Sequence, residues 1–142
     1  SRWLPRFGVE TTLVSATEPE AFARAMRPNT RLVYLESPTN PLIRLIDLEP
    51  IVALARERKL LTVIDSTFAT PINQRPLDWG VDVVIHSATK YLAGHSDVLG
   101  GVVCGSRSFI ARAKASGSVA LTSVVSTPNR GSHRLNRLNV PP

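Results

Sequence analysis

The sequence predicts an α/β domain, with a mostly parallel sheet and helices on both of its faces. Three observations carry this. Short, near-continuous apolar runs recur at Arg31-Leu-Val-Tyr-Leu-Glu36, Leu61-Thr-Val-Ile-Asp65 and Val81-Asp-Val-Val-Ile-His86. Helical stretches separate these runs, which is the pattern of parallel strands covered on both sides. The polar residues that look chemical fall directly after the runs, where open α/β sheets place their ligands. These are Glu36 and Asn40, then Asp65-Ser66-Thr67, then Ser87-Ala-Thr-Lys90.

Each element has its own reason. Thr11-Thr-Leu-Val14 reads as a short strand. Glu18 to Met26 reads as a helix with Thr17 as N-cap and Glu20 completing a capping box. The strand at 31–36 must stop at Ser37-Pro-Thr-Asn-Pro41, because two prolines remove donors and fix φ. Asp47 is placed to cap a helix running to about Lys59, with Ile51, Val52, Leu54 and Ala55 on one face. The strand at 61–65 follows. Pro71 to Trp79 is a connection, 81–86 a strand, and Gly101-Val-Val-Cys104 a further strand after a glycine-rich turn. Ser108 opens a last helix. About five strands are expected in all.

Length and composition agree with a single globular domain. The chain has 142 residues, 43% hydrophobic and 20% charged, which suffices for a core and argues against a disordered chain. No apolar run is long enough to span a membrane, and the first residues have no secretory core. The expected location is cytoplasmic. A single cysteine, Cys104, rules out an internal disulfide and any CxxC metal pair.

The net charge of +6 invites a nucleic-acid reading. Its placement argues otherwise. Residues 1–105 carry 11 basic and 11 acidic side chains, while Arg107, Arg112, Lys114, Arg130, Arg134 and Arg137 follow with no acid. Residues 115–142 are rich in Ser, Asn, Gly and Pro, lack a periodic pattern and hold no aromatic residue for base stacking. That segment reads as an atypical, unstructured tail. The sequence therefore predicts no nucleic-acid partner and no membrane partner.

The chemistry concentrates near Lys90. A strand-end lysine that is partly desolvated can attack a carbonyl. Ser87 and Thr89 stand just before it and can donate to a phosphate. Asp65 ends the preceding strand and can pair with a protonated ring nitrogen. Aldehyde, phosphate and pyridinium are the three handles of pyridoxal 5'-phosphate (PLP). The bland alternative is a solvated surface lysine beside a turn aspartate. His86 reads as a hydrogen-bonded structural histidine, Cys104 as a small core residue, and Tyr91 and Trp79 as packing residues. His95-Ser96-Asp97 has the letters of a hydrolase triad, but sequence neighbours do not readily face one another. His86, His95 and Asp97 lack metal-ligand spacing, so no metal site is expected.

Three segments, Tyr34-Leu-Glu-Ser-Pro-Thr-Asn-Pro41, Val63-Ile-Asp-Ser-Thr-Phe-Ala-Thr-Pro71 and His86-Ser-Ala-Thr-Lys-Tyr-Leu-Ala-Gly-His-Ser-Asp-Val98, closely resemble the Cys/Met metabolism family of PLP enzymes. That family includes cystathionine γ-synthase, the cystathionine γ- and β-lyases, methionine γ-lyase and the homoserine sulfhydrylases. The resemblance runs from about Phe7 to Lys114. It implies that 1–114 is part of a fold-type I PLP-binding large domain, incomplete here.

By the same resemblance, Lys90 bonds the cofactor aldehyde and shuttles protons, and Asp65 keeps the pyridine nitrogen protonated. Ser87 and Thr89 bind the phosphate, and Asn40 lies near the phenolic oxygen. Ser66 stands where many members carry Asn, with a modest effect expected. The implied reaction is γ-elimination or γ-replacement on a sulfur amino acid or activated homoserine, by a parent that assembles as a homotetramer. An upstream phosphate-binding turn with a stacking aromatic, and a downstream arginine domain, are also implied. Alone, this chain is expected to be poorly stable and weak or inactive, as a truncated or frameshifted product would be. Robust turnover by the purified 142-residue chain would contradict that.

Overall fold

The structure is a computed structural model in which residues 3–15 and 17–116 are described. The expected tail at 115–142 lies almost wholly outside them. The element order is α1 (Pro19–Ala25), β1 (Leu32–Glu36), α2 (Leu48–Glu57), β2 (Leu61–Asp65), α3 (Thr70–Asn73), β3 (Val83–Ser87), β4 (Gly101–Gly105) and α4 (Arg107–Ala115). Short 3-10 turns lie at Leu4–Phe7 and Pro76–Trp79, and a π-type turn at Ala88–Leu92.

The sheet has four described strands in the order β1-β2-β3-β4. The first three are parallel, with Glu36 opposite Asp65 and Asp65 opposite Ile85. β4 runs antiparallel to β3, with Ser87 opposite Gly101. This satisfies the expectation of a mostly parallel sheet. The segment 88–100 folds back as a turn and loop without a crossover helix, and a parallel neighbour would need such a crossover.

Side chains alternate across each strand, so the register sorts the two faces. Val33 and Leu35, Ile64, Val84 and Cys104 share one face. Phe22 of α1 and Leu48, Ile51, Val52 and Ala55 of α2 close over it as the core. Ile51 and Ile64 are fully buried, and each contributes roughly 1.5–3 kcal/mol by leaving water. The other face holds Leu32, Tyr34, Val63, Asp65, Val83, Ile85 and Ser87. α4 covers only its β4 end. A Cβ added at Gly105 would lie 3.6 Å from Phe109 and 3.7 Å from Val83, and Val83 is buried. At the β1 end Leu32 and Tyr34 are 46% and 55% exposed. Helices therefore flank both faces, but the second is only partly covered by described residues.

Several local expectations are corrected. Thr11–Val14 is not a strand, because no described strand pairs with it. Helix α1 is capped at Glu18, not Thr17, and has no side-chain cap. Pro19 is its first residue and forces Glu18 to extended angles, φ −124° and ψ 91°, by the clash every proline imposes on its predecessor. The start of the helix moves one residue on, and the Thr17–Glu20 box cannot close. Asp47 does precede α2, but its side chain makes no cap bond. Helix α4 begins at Arg107, one residue earlier than expected, on a true N-cap, with Ser106 Oγ accepting from Phe109 N at 3.2 Å. Trp79 is exposed in its turn. The turn ends at Gly80, where φ is +95°. A side chain there would meet both left-handed strain and the Arg56 guanidinium, so glycine is required.

Candidate active site

Three parallel strands end on one edge, and the loops leaving them carry the expected site residues. Asp65 is the last residue of β2, and Ser87 the last of β3. Asn40 lies in the turn after β1. Thr89 and Lys90 sit in the π-type turn after β3, whose helical path breaks at Lys90 with φ −89° and ψ −118°.

Hydrogen bonds join two of these loops. Backbone pairing of β2 and β3 is continued by Ser66 N donating to Ile85 O at 3.0 Å. His86 Nδ1 lies 3.1 Å from Ser66 O and donates to it. Ser87 N donates to Thr67 Oγ1 at 2.8 Å. Thr67 N in turn donates to Asp65 Oδ1 at 2.9 Å. The ladder thus runs two residues past its backbone pairs, using the side chains of His86 and Thr67. Ser66 is fully buried and donates its hydroxyl to Gln74 Oε1 at 3.3 Å. A short side chain bonded to its own neighbour accounts for serine at this position.

Farther along, Thr89 is tied to the far side of its loop. Its hydroxyl accepts from Gly100 N at 3.0 Å and donates to Gly100 O at 3.3 Å. An anion bound there would compete with the Gly100 carbonyl for that proton. Asn40 shares the strand-end edge, is exposed, and makes no hydrogen bond among the described residues.

Lys90 differs from its sequence expectation. It is exposed, not partly desolvated. The last ladder pair is Ser87 with Gly101, so the turn bearing Lys90 projects beyond the sheet, and no described residue covers it. Tyr91 is not packed as expected: it is 59% exposed, and its ring only leans on that of Phe68, tilted 54° at 5.8 Å.

The chemistry of the donor set fits PLP. One oxygen of Asp65 is fixed by Thr67, while Oδ2 takes no hydrogen bond from the described residues. That leaves a half-buried carboxylate oxygen for a ring N–H. The Ser87 hydroxyl makes no hydrogen bond among the described residues, and the Lys90 amine is in no ion pair there. An acid, an amine and hydroxyls are thus offered on one edge.

The sequence marked Thr67 only as one of the polar residues after a strand, with no role of its own, and gave Tyr34 no role. Burial raises the Tyr34 phenol above its ordinary pKa, and the carboxylates of Asp65 and Glu36 push it further up. Tyr34 therefore belongs to the electrostatic surroundings of Asp65. Alternation along β1 could have placed it on the Asp65 face.

His86 is buried, as its structural reading requires. Burial lowers its pKa below 6.5, against smaller opposing effects of the Ser66 carbonyl and Asp65. A depressed folded pKa means that the unfolded chain binds more protons below about 6.5. His86 then contributes stability that is fully present above that pH and lost as pH falls through the folded pKa. Urea unfolding should show lower stability at pH 5.5 than at 7.5. The slope should flatten in His86→Asn, which keeps a donor toward Ser66 without a titrating ring.

The fold and strand-end site define a class: the large domain of a fold-type I PLP enzyme, represented here in part. Residues 1–133 match the family model described as Cys/Met metabolism PLP-dependent enzyme. The chain belongs to that family. The match extends beyond Lys114, where the charge pattern changes. The chain is 52% identical over 99 residues to the cystathionine beta-lyase of Bacillus subtilis (strain 168), covering 70% of this chain and 25% of that protein. It is 45% identical over 126 residues to the L-methionine gamma-lyase of Porphyromonas gingivalis (strain ATCC BAA-308 / W83), covering 88% and 32%. Among solved structures, the cystathionine gamma-lyase of Lactobacillus plantarum complexed with L-serine superposes with a TM-score of 0.78 at 42% identity. That superposition covers 84% of this chain and 33% of the other. The chain thus spans about a quarter to a third of the length of these proteins.

Proposed function

We propose that this chain is the cofactor-holding core of a PLP-dependent enzyme of sulfur amino acid metabolism. Its full-length parent catalyses γ-elimination or γ-replacement on an amino-acid substrate. The observation that carries the reading is the hydrogen-bonded link from Asp65 through Thr67 to Ser87, three residues before the only lysine on that edge. When bound, PLP supplies an electron sink for the α-carbon of an amino acid.

The chain's own residues do the rest. Asp65 Oδ2 would accept from the ring N–H and favour its protonated form. Lys90 Nζ would hold the cofactor by its aldehyde and would serve as the proton carrier. Ser87 and Thr89 would donate to the phosphate, and Asn40 would serve the phenolic oxygen. For the parent, the reading includes assembly as a homotetramer. In support of further partners, apolar side chains crowd this edge in the open: Leu42, Ile43, Leu45, Leu92, Val98 and Leu99 are all exposed. Cystathionine β-elimination is the second reading, since the matched stretch is as similar to a cystathionine beta-lyase, at 52% identity, as to an L-methionine gamma-lyase, also at 52%. Among the described residues no helix is long and apolar enough to cross a membrane.

Titrating the chain with PLP tests the reading. A saturable visible band distinct from that of free cofactor is expected. A spectrum that is merely the sum of protein and free cofactor would favour a remnant that does not bind it.

A further inference from the structure

The strand ends are joined by a connection whose centre, Thr67, was given no cofactor-binding role in the reading above. Thr67 contacts two of the site's residues at once. Its N–H donates to Asp65 Oδ1 at 2.9 Å, and its Oγ1 accepts from Ser87 N at 2.8 Å. Toward the same neighbouring strand, the residue just before it, Ser66, is also clamped to β3. Ser66 N donates to Ile85 O at 3.0 Å, and Ser66 O accepts from His86 Nδ1 at 3.1 Å.

Backbone pairing of β2 with β3 stops at Asp65 and Ile85. Beyond that point the two chains would be free to splay, because Phe68 onward turns into α3 while β3 runs on to its turn. The Thr67 hydroxyl stands in for the missing backbone carbonyl and holds Ser87 in place. An acceptor for a half-buried N–H is costly to lose, since that amide would otherwise face an apolar strand edge. Three residues after Ser87 comes Lys90.

We propose that Thr67 is a positioning residue: its hydroxyl fixes the Ser87–Lys90 turn relative to the Asp65 carboxylate, so that amine and acid reach one cofactor together. The inference rests on the PLP reading. Lys90 is exposed on a turn that breaks its helical path, so its aim depends on how the turn is anchored. The anchors are Thr67 at Ser87, Gly101 of β4 as the ladder partner of Ser87, and Gly100 at Thr89. Only the first also touches Asp65.

The test compares Thr67→Ser with Thr67→Ala in the 142-residue chain, because the pair differs by the hydroxyl oxygen alone. Three quantities are read: hydrogen exchange at the Ser87 amide without cofactor, PLP attachment to Lys90 at limiting cofactor after borohydride reduction, and the visible band of the bound cofactor. In Thr67→Ala, exchange at Ser87 should quicken about tenfold and attachment weaken about tenfold, as for one buried hydrogen bond removed. The visible band should also shift, because the ring nitrogen no longer meets Asp65 in the same place. Thr67→Ser should restore all three to the values of the unaltered chain.

If Thr67→Ala leaves exchange and attachment unchanged, the proposal is wrong. Faster exchange with unaltered attachment and band would mean the bond is only structural, which also overturns it. A failed rescue by Thr67→Ser would assign the effect to the methyl group and not the hydroxyl. If the unaltered chain takes no label on Lys90, the PLP reading fails, and the positioning role with it. That outcome is distinct, because it appears before any substitution is made.

Discussion

Replacing Lys90 by alanine is expected to abolish covalent attachment of PLP. The chain has three lysines, at 59, 90 and 114. Lys59 follows the end of α2, and Lys114 lies in α4. Only Lys90 stands where the parallel strands end. An amine is needed there as nucleophile toward the aldehyde, and no neighbouring side chain supplies one. Lys90→Ala should lose the saturable visible band altogether, while the far-ultraviolet circular dichroism stays unchanged, because an exposed side chain outside the core carries little stability. Lys90→Arg should also fail, since guanidinium does not give up its proton at neutral pH. A band that survives in Lys90→Ala would mean that the cofactor is held elsewhere or without a bond.

The second large effect belongs to Asp65. Asp65→Asn keeps the shape and leaves an amide oxygen to accept from Thr67 N, but it removes the charge that the proposal sets against the ring nitrogen. A charge-assisted hydrogen bond is worth about 1.5–3 kcal/mol, so PLP should bind at least about tenfold more weakly. In the full-length parent the rate should fall further, by about 100- to 1,000-fold, as when a preorganised charge-stabilising group is removed. The split between the two measurements is informative. Weaker binding alone would make Asp65 a mere contact, whereas a larger loss in kcat shows it acting on the ring during reaction. An Asp65→Asn parent with full kcat would remove Asp65 from the chemistry.

Much of this was legible in the sequence because the signals were local. β2 lies where four apolar and β-branched residues place it, and Asp65 stands at its end in both readings. The His86 assignment also needed only a strand and a buried position. The misses share one cause, which is dependence on residues far along the chain or on the backbone's own geometry. Thr67 was marked only by its place after a strand, and its role works through a bond to a residue 20 positions away that no local pattern shows. The desolvation expected at Lys90 depended on what covers the turn, which is not written in its neighbours. The Thr17 cap failed to a proline two residues on, a signal that was present in the sequence but outweighed by the capping-box pattern. The antiparallel run of β4 follows from the lack of a crossover helix in 88–100. The sequence shows only a glycine-rich loop there, which leaves the direction open.

The most direct measurement is the identity of the lysine modified when the 142-residue chain is mixed with PLP, reduced with borohydride and digested. The label is expected on the peptide carrying Lys90, at up to one equivalent, with Lys59 and Lys114 left unmodified. Label spread evenly over the three lysines, or absent from Lys90, would contradict the claim that these strand ends form a PLP site.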